Sequence, residues 1–351
     1  MLITMGAFIG VLALLIIAHE IGHFTTAKAF KVRVEEFGIG FPPRLIGMRR
    51  GETVYSLNAV PLGGFVKMAG EEDPKVVGSL AGKGKGTRIL VLSAGSLTNA
   101  ILPLLLFSIA FMVPHDVVSE PVVVKVVAPA SPAATAGIEA GDTLLSVNDE
   151  PIQNTAQLRR SITLNLGNEI AIFVKHSDST TEEVRLIPRW KPPAGQGAVG
   201  IEFDTEAVLS SRIIGRQRDA FWRAVPMAGR EYVETFILFK NGILTTLIGA
   251  APVQVTGPVG IAQITGEAAK AGLSPLLEFT AFLSINLALI NIFPLPALDG
   301  GRIAFVVLEW IRRGKRISPK TEGLIHFIGF ALLIAAMVAI TYQDIIRIVE
   351  G

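Results

Sequence analysis

The 351-residue chain contains no cysteine. Disulfides and thiolate chemistry are therefore excluded, and any metal site must be built from His, Asp or Glu. Charge is scarce as well: Asp, Glu, Lys and Arg make up 18% of the residues, against roughly a quarter in ordinary soluble chains. The net charge of +2 is too small to suggest a nucleic-acid partner. Apolar side chains fill the gap, at half of all residues, and this balance points to a membrane protein. The length suits one large domain or two smaller ones.

Four apolar stretches stand out. The first covers residues 2–18, runs straight into His19 and extends to about Phe24. Residues 89–113, 276 to about 298 and 324–341 follow; the third resumes at 303–311 after the polar Asp299-Gly300-Gly301-Arg302. Each has close to the ~20 apolar residues that a bilayer crossing needs. No Lys or Arg precedes the first run and no small-residue cleavage site closes it, so a retained helix is expected rather than a signal peptide. Residues 25–88 are rich in Lys and Arg, and Arg312, Arg313, Lys315, Arg316 and Lys320 follow the third span. The positive-inside rule puts both segments in the cytoplasm. Both termini and residues 114–275 then lie outside, with His19 and Asp299 toward the cytoplasmic ends of their spans.

The external insert reads in two parts. Residues 118–190 are β-rich, with a β-branched run at 122–127, a Gly-rich turn at 136–142, strands near 143–147, 169–174 and 183–187, and a short helix at 155–164. A Pro- and Gly-rich linker follows at 190–197. Residues 217–247 space Phe221, Trp222, Val225, Tyr232, Val233, Phe236 and Ile237 between charged residues. That pattern fits an amphipathic helix, either at the membrane surface or packed on the external domain. The expected organisation is 1–113 with two spans and a cytoplasmic hairpin at about 52–70, the insert domain at 118–190, linker and helix at 191–275, and two more spans at 276–351.

The sharpest local signal is His19-Glu20-Ile21-Gly22-His23. On a helix, positions i and i+4 share one face, so both imidazoles can reach one metal. Glu20 can orient and deprotonate a water there, and zinc lowers such a water's pKa to about 7. A catalytic zinc keeps three protein ligands, so a third is needed. Asp299, in Asn291-x-x-Pro294-x-Pro296-x-Leu298-Asp299-Gly300-Gly301, is the only acid between Glu278 and Glu309. Two prolines break the span there, and broken helices at membrane depth line cavities. Asp299 as a helix cap is the plainer alternative. Asn99 within the second span suits an interhelical hydrogen bond or a role at the site. Asn291 could bind a substrate backbone or position the broken helix. His115, His176 and His326 lack partners at ligand spacing and read as structural or solvated.

The cytoplasmic loop from Asn58 to Gly70 includes Gly64 and Phe65. Residues 54–57 and 64–68 could pair as a hairpin. A helical substrate must unwind before hydrolysis, and a strand edge here could receive it by β-augmentation.

His19-Glu-x-x-His23, the loop at 58–70, Thr256-Gly-Pro-Val-Gly-Ile-Ala262 and the Asn291 to Gly301 motif occur in the order found in site-2 proteases. The chain most resembles the bacterial regulator-of-sigma-E protease branch, over almost its whole length. The resemblance implies a multi-pass α-helical membrane protein with four transmembrane segments and an inserted extracytoplasmic PDZ-like α+β domain, in the bacterial plasma membrane. It implies one zinc per chain on His19, His23 and Asp299, with Glu20 as base. It also implies single-pass membrane substrates, of the anti-sigma factor or remnant signal peptide type, and a PDZ domain that contacts substrates or restricts their access. Two departures stand out. Residues 118–190 hold room for one PDZ domain where some members carry two, and Ser96 occupies the proline position of the family's Gly-Pro-x-x-Asn.

Two other classes compete. A membrane PDZ scaffold without proteolysis would not need Glu20 beside the ligands. A transporter with a broken helix would show inverted repeats, and the two halves differ in span spacing and motif content.

Overall fold

A computed structural model describes residues 2–71, 73–203, 212–252 and 255–350. The chain forms two compact units, 1–110 with 255–351, and 111–254 between them. Parts of the 191–275 segment, at 204–211 and 253–254, lie outside the described residues.

The first unit opens with helix α1 (Leu2–Ala29), which passes through the His19 motif without a break. An apolar run adopts helix because lipid offers no hydrogen bonds to the backbone. Strands β1 (Val34–Arg50) and β2 (Thr53–Met68) then pair antiparallel. Each is long, and each turns back on itself at a left-handed glycine, Gly40 at φ 80° and Gly63 at φ 127°. The pairing corrects the hairpin expected from sequence. Residues 54–57 and 64–66 do not pair with each other; both flank 37–39 of β1, on opposite sides. The turn at Gly40, followed by Pro42-Pro43, brings residues 44–50 onto the far side of 53–58. Residues 64–68 are thereby left as an edge.

Helix α2 (Lys85–Met112) is the most enclosed of the long helices, with half of its most apolar window buried. It crosses α1 at glycines. A Cβ at Gly22 would lie 2.5 Å from the Ala94 carbonyl oxygen. Small residues at such a crossing let the backbones approach. Beneath the crossing, Ala27, Val32, Val34, Met68, Leu80, Val91 and Leu92 form a buried cluster with Val306.

In the second unit, β3 (His115–Ser119) leads into β4 (Val122–Val127), the short helix α3 (Pro132–Thr135), β5 (Thr143–Val147) and β6 (Glu150–Pro151). Helix α4 (Thr155–Leu164), capped by Asn154, precedes β7 (Ile170–Lys175), β8 (Thr181–Leu186) and β9 (Ile201–Phe203). The sheet runs β8-β7-β5-β4-β9, with β6 on β5. Along β7, Ile170, Ile172 and Val174 are buried at period two and pack with Leu144 and Leu158. Each fully buried side chain contributes roughly 1.5–3 kcal/mol. The sheet ends later than the expected boundary at 190: Val199 is in the core and β9 is its edge strand. The segment 190–197 is thus a loop within this fold, because its far end returns to pair with β4.

Strand β10 (Arg212–Gln217) pairs with β3, and helix α5 (Phe221–Leu247) follows. The polar stripe of α5 docks on α4. Arg160 reaches Glu231 at 2.7 Å and Glu234 at 3.0 Å, and the Asn241 amide donates to the Thr163 carbonyl at 2.7 Å. Phe221, Trp222, Val225, Val233 and Leu247 on α5 stay exposed. The helix is therefore amphipathic with its polar side on the domain.

The chain returns to the first unit with α6 (Pro258–Ala271), a helix not expected from sequence, which packs on α1 with Gly266 against Thr4. The face it buries is Gly260, Thr265 and Gly266, and no apolar pattern marks that side in the sequence. Helix α7 (Leu273–Ile292) stops before the expected end at 298. Phe293 precedes Pro294 and sits at ψ 141°, as the residue before a proline is driven out of the helical region. Helix α8 (Asp299–Ile311) restarts the chain with Asp299 in its first turn, and α9 (Pro319–Glu350) ends it. The helices α1, α2, α7 and α9 are long and apolar enough to cross a membrane.

Candidate metal centre

Residues 19 and 23 lie on one face of α1, and the α7–α8 break delivers Asp299 to that face. His19 Nε2 and His23 Nε2 are 3.1 Å apart, and Asp299 Oδ2 lies 3.1 Å from each. Tetrahedral zinc, with bonds of about 2.0–2.1 Å, separates its ligand atoms by about 3.3 Å. The triangle therefore has the dimensions of one face of such a site.

The surrounding hydrogen bonds test the fit. His23 Nδ1 lies 2.8 Å from the Val91 carbonyl, so it carries the proton and leaves a lone pair on Nε2. His19 Nδ1 lies 3.5 Å from the Asn99 amide nitrogen, while the buried Asn99 Oδ1 has no hydrogen-bond partner. Turning that amide over puts Oδ1 opposite a His19 Nδ1–H and satisfies both groups. Both rings then aim lone pairs at a carboxylate oxygen. Three acceptors held 3.1 Å apart repel one another unless a cation lies among them. The donor set fits a zinc ion.

Space for these rings comes from α2. A Cβ at Gly95 would collide with His23 and lie 2.6 Å from His19 ring atoms. Ser284 on α7 donates to the Asn99 carbonyl at 2.7 Å and fixes that turn of α2. Glu20 is half-buried and faces the backbone N–H of Val66 on the β2 edge. Gly64 lies against it: a Cβ there would be 3.1 Å from Glu20 Cγ.

The structure thus gathers His19, His23 and Asp299, with Glu20, Asn99 and Gly64 beside them. Phe65 turns its ring over Gly38 of the neighbouring strand. Pro294 and Pro296 shape the loop ahead of Asp299, and Pro296 packs against Gly329 of α9. Asn291 is half-buried in the last turn of α7 and has no hydrogen bond to the centre among the described residues. Three further contributors carry no pattern in the sequence that points to this role. The Val91 carbonyl is backbone and leaves no sequence signal. His326 and Gly329 are isolated residues in an apolar run, and only the fold brings them to the loop.

A metallohydrolase-type centre enclosed by bilayer-length helices is the signature of a membrane metalloprotease. The chain belongs to peptidase family M50, the site-2 proteases, whose family model matches residues 7–336. It is 39% identical over 336 residues to a Clostridium perfringens protein named provisionally as a zinc metalloprotease, covering 95% of each. It is 29% identical over 424 residues to the zinc metalloprotease RasP of Geobacillus kaustophilus, covering 97% of each. The PDZ domain of the SdrC-like protein from Listeria monocytogenes matches 25% of this chain and 90% of its own, at 20% identity and a TM-score of 0.22, a likeness too slight to assign the fold of the second unit. The protein is an intramembrane zinc metalloprotease, and its cofactor is zinc. The scaffold and transporter readings fall with that assignment.

Proposed function

We propose that the protein hydrolyses a peptide bond within the transmembrane segment of single-pass membrane proteins, anti-sigma factors or remnant signal peptides, in regulated intramembrane proteolysis. The convergence of His19, His23 and Asp299 beside Glu20 and an outer strand edge carries this reading. His19, His23 and Asp299 hold one zinc, which when bound supplies Lewis acidity and lowers the pKa of water to about 7. Glu20 takes the proton from the attacking water and delivers it to the leaving amine. A transmembrane substrate shields its carbonyls inside a helix, so it must first be drawn out into an extended form. The edge at 64–68 carries no strand on its outer side among the described residues; an extended substrate adds there in place of the carboxylates that face it, Glu20 at the Val66 N–H and Glu71 at the Met68 N–H. Gly64 keeps this edge close to Glu20, and Asn291, Pro294 and Pro296 line the approach from the α7–α8 side. The hydrogen-bonded turn at Asn99 holds His19.

Basic residues at 25–88 and 312–320 put the catalytic side toward the cytoplasm of the plasma membrane. Both termini and the second unit then lie outside. That unit, PDZ-like from residue 118, screens or contacts substrates. Its cleft of about 830 Å³ runs between α4 and β9, bounded by Gly195, Gln196 and Gly197, and suits an extended peptide. The exposed apolar side of α5 rests on the bilayer surface.

The test compares the parent with Glu20→Gln on a panel of tagged single-pass substrates, with zinc analysis of both. Bound zinc in both and cleavage by the parent alone is expected. Cleavage by the variant removes Glu20 from its role, and an inactive parent across the panel removes the substrate class.

A further inference from the structure

We propose that His326 of α9 is a positioning residue for Asp299, pinning the loop that carries it through the Ala297 backbone N–H. The inference rests on the reading of Asp299 as a zinc ligand. Ala297 lies two residues before Asp299 and holds φ at 76°, a left-handed conformation that a residue with a Cβ resists. Its N–H donates to His326 Nδ1 at 2.9 Å. A backbone amide can only donate, so Nδ1 accepts, and the neutral ring carries its proton on Nε2. Phe305, on α8 beyond Asp299, meets the ring edge-on with centroids 5.5 Å apart and steadies its orientation.

The next turn of α9 repeats the contact. Gly329 is buried, and a Cβ there would lie 3.0 Å from the Pro296 carbonyl carbon and oxygen. Positions 326 and 329 share one helix face, so α9 grips Pro296 and Ala297 together. The most apolar stretch of that helix is nearly bare, with 6% of it buried, and its far end is tied to α6, where Asp344 accepts from the Gly260 N–H at 2.8 Å. A helix held at its far end by α6 thus makes a second close, directional contact, with the strained segment ahead of a ligand. Partners of this kind orient metal ligands without touching the metal.

The test follows zinc release from the full-length, zinc-loaded protein in detergent into excess chromophoric chelator. Asparagine places an amide oxygen near the position of Nδ1, whereas glutamine and alanine leave that position without an acceptor. His326→Gln and His326→Ala are expected to release zinc about 10–100-fold faster, with His326→Asn within about threefold of the parent. Adding Ala297→Gly to His326→Gln, which removes the left-handed penalty, is expected to recover part of the loss. Parent-like release by both Gln and Ala variants overturns the proposal. So does equal loss in the Asn, Gln and Ala variants, which marks the ring as packing alone. Asp299→Ala reports separately on the underlying site: if it retains zinc like the parent, the ligand assignment fails, whatever His326 does.

Discussion

Asp299 Oδ2 lies 3.1 Å from His23 Nε2 across 276 positions of sequence. Nothing local enforces that distance. It follows from α7 ending at Phe293, from the loop that re-aims the chain, and from the glycine crossing that seats α1 on α2.

Gly95 makes room for both histidine rings. Gly95→Ala forces the rings or α2 aside, and overpacking of this kind costs about 1–3 kcal/mol. Zinc affinity is expected to drop about 10–100-fold, measured by competition with a chelator. Gly10→Ala, on the same helix as the histidines but with nothing within 4 Å of its Cβ, should leave zinc affinity unchanged.

Asn99 separates hydrogen bonding from packing. Asn99→Ala strands the His19 Nδ1–H in a buried site and is expected to weaken zinc binding about 10–100-fold. Asn99→Asp keeps an acceptor at that position and should retain most of the affinity. Zinc titration of both variants decides the matter, and equal weakening would assign Asn99 to packing alone.

Val66 sits on the edge beside Glu20. Val66→Pro removes the N–H that faces Glu20 and blocks backbone pairing there, so it tests the edge and its hold on Glu20 together. Cleavage of a transmembrane substrate should slow at least about tenfold, a loss of roughly 1.4 kcal/mol, with zinc content intact. Unchanged cleavage would argue that substrates do not add to this strand.

His176 gives the second unit a pH dependence. Its Nδ1 lies 3.1 Å from the buried Asp142 carboxylate, which also accepts the Glu139 N–H at 2.8 Å. That carboxylate raises the His176 pKa above its usual value, with Asp178 and Glu182 adding to the effect. A raised folded pKa means the stabilisation is full below the unfolded value of about 6.5 and fades as pH climbs through the folded one. Hydrogen exchange at the Glu139 amide in the full chain should quicken as pH rises through that window, beyond its intrinsic dependence. His176→Gln should flatten the excess.

Much of this is legible in the sequence. The His19 and His23 spacing, the bilayer-length runs and the helix at Thr155–Leu164 all follow from periodicities of a few residues. The β-strand order near the site is not, since Gly40 and Gly63 fold two strands into a sheet whose neighbours are distant in sequence. Helix α6 is not legible because the face it buries, Gly260, Thr265 and Gly266, is small and carries no apolar pattern. The role of His326 is not legible either, because its partner is the Ala297 backbone N–H, which no side-chain pattern reveals.

The sequence by itself determined the chemistry on offer: no thiols, scarce charge, two imidazoles one helical turn apart and a single acid in the third apolar run. Those properties depend only on composition and on the fixed geometry of a helix. Tertiary structure decided which groups meet. The close approach at Gly22 and Gly95, the tautomer set by Val91, the strand edge against Glu20 and the α9 contact at Ala297 all join residues far apart along the chain. Such contacts depend on packing and hydrogen-bond direction between elements, which no local period in the sequence encodes.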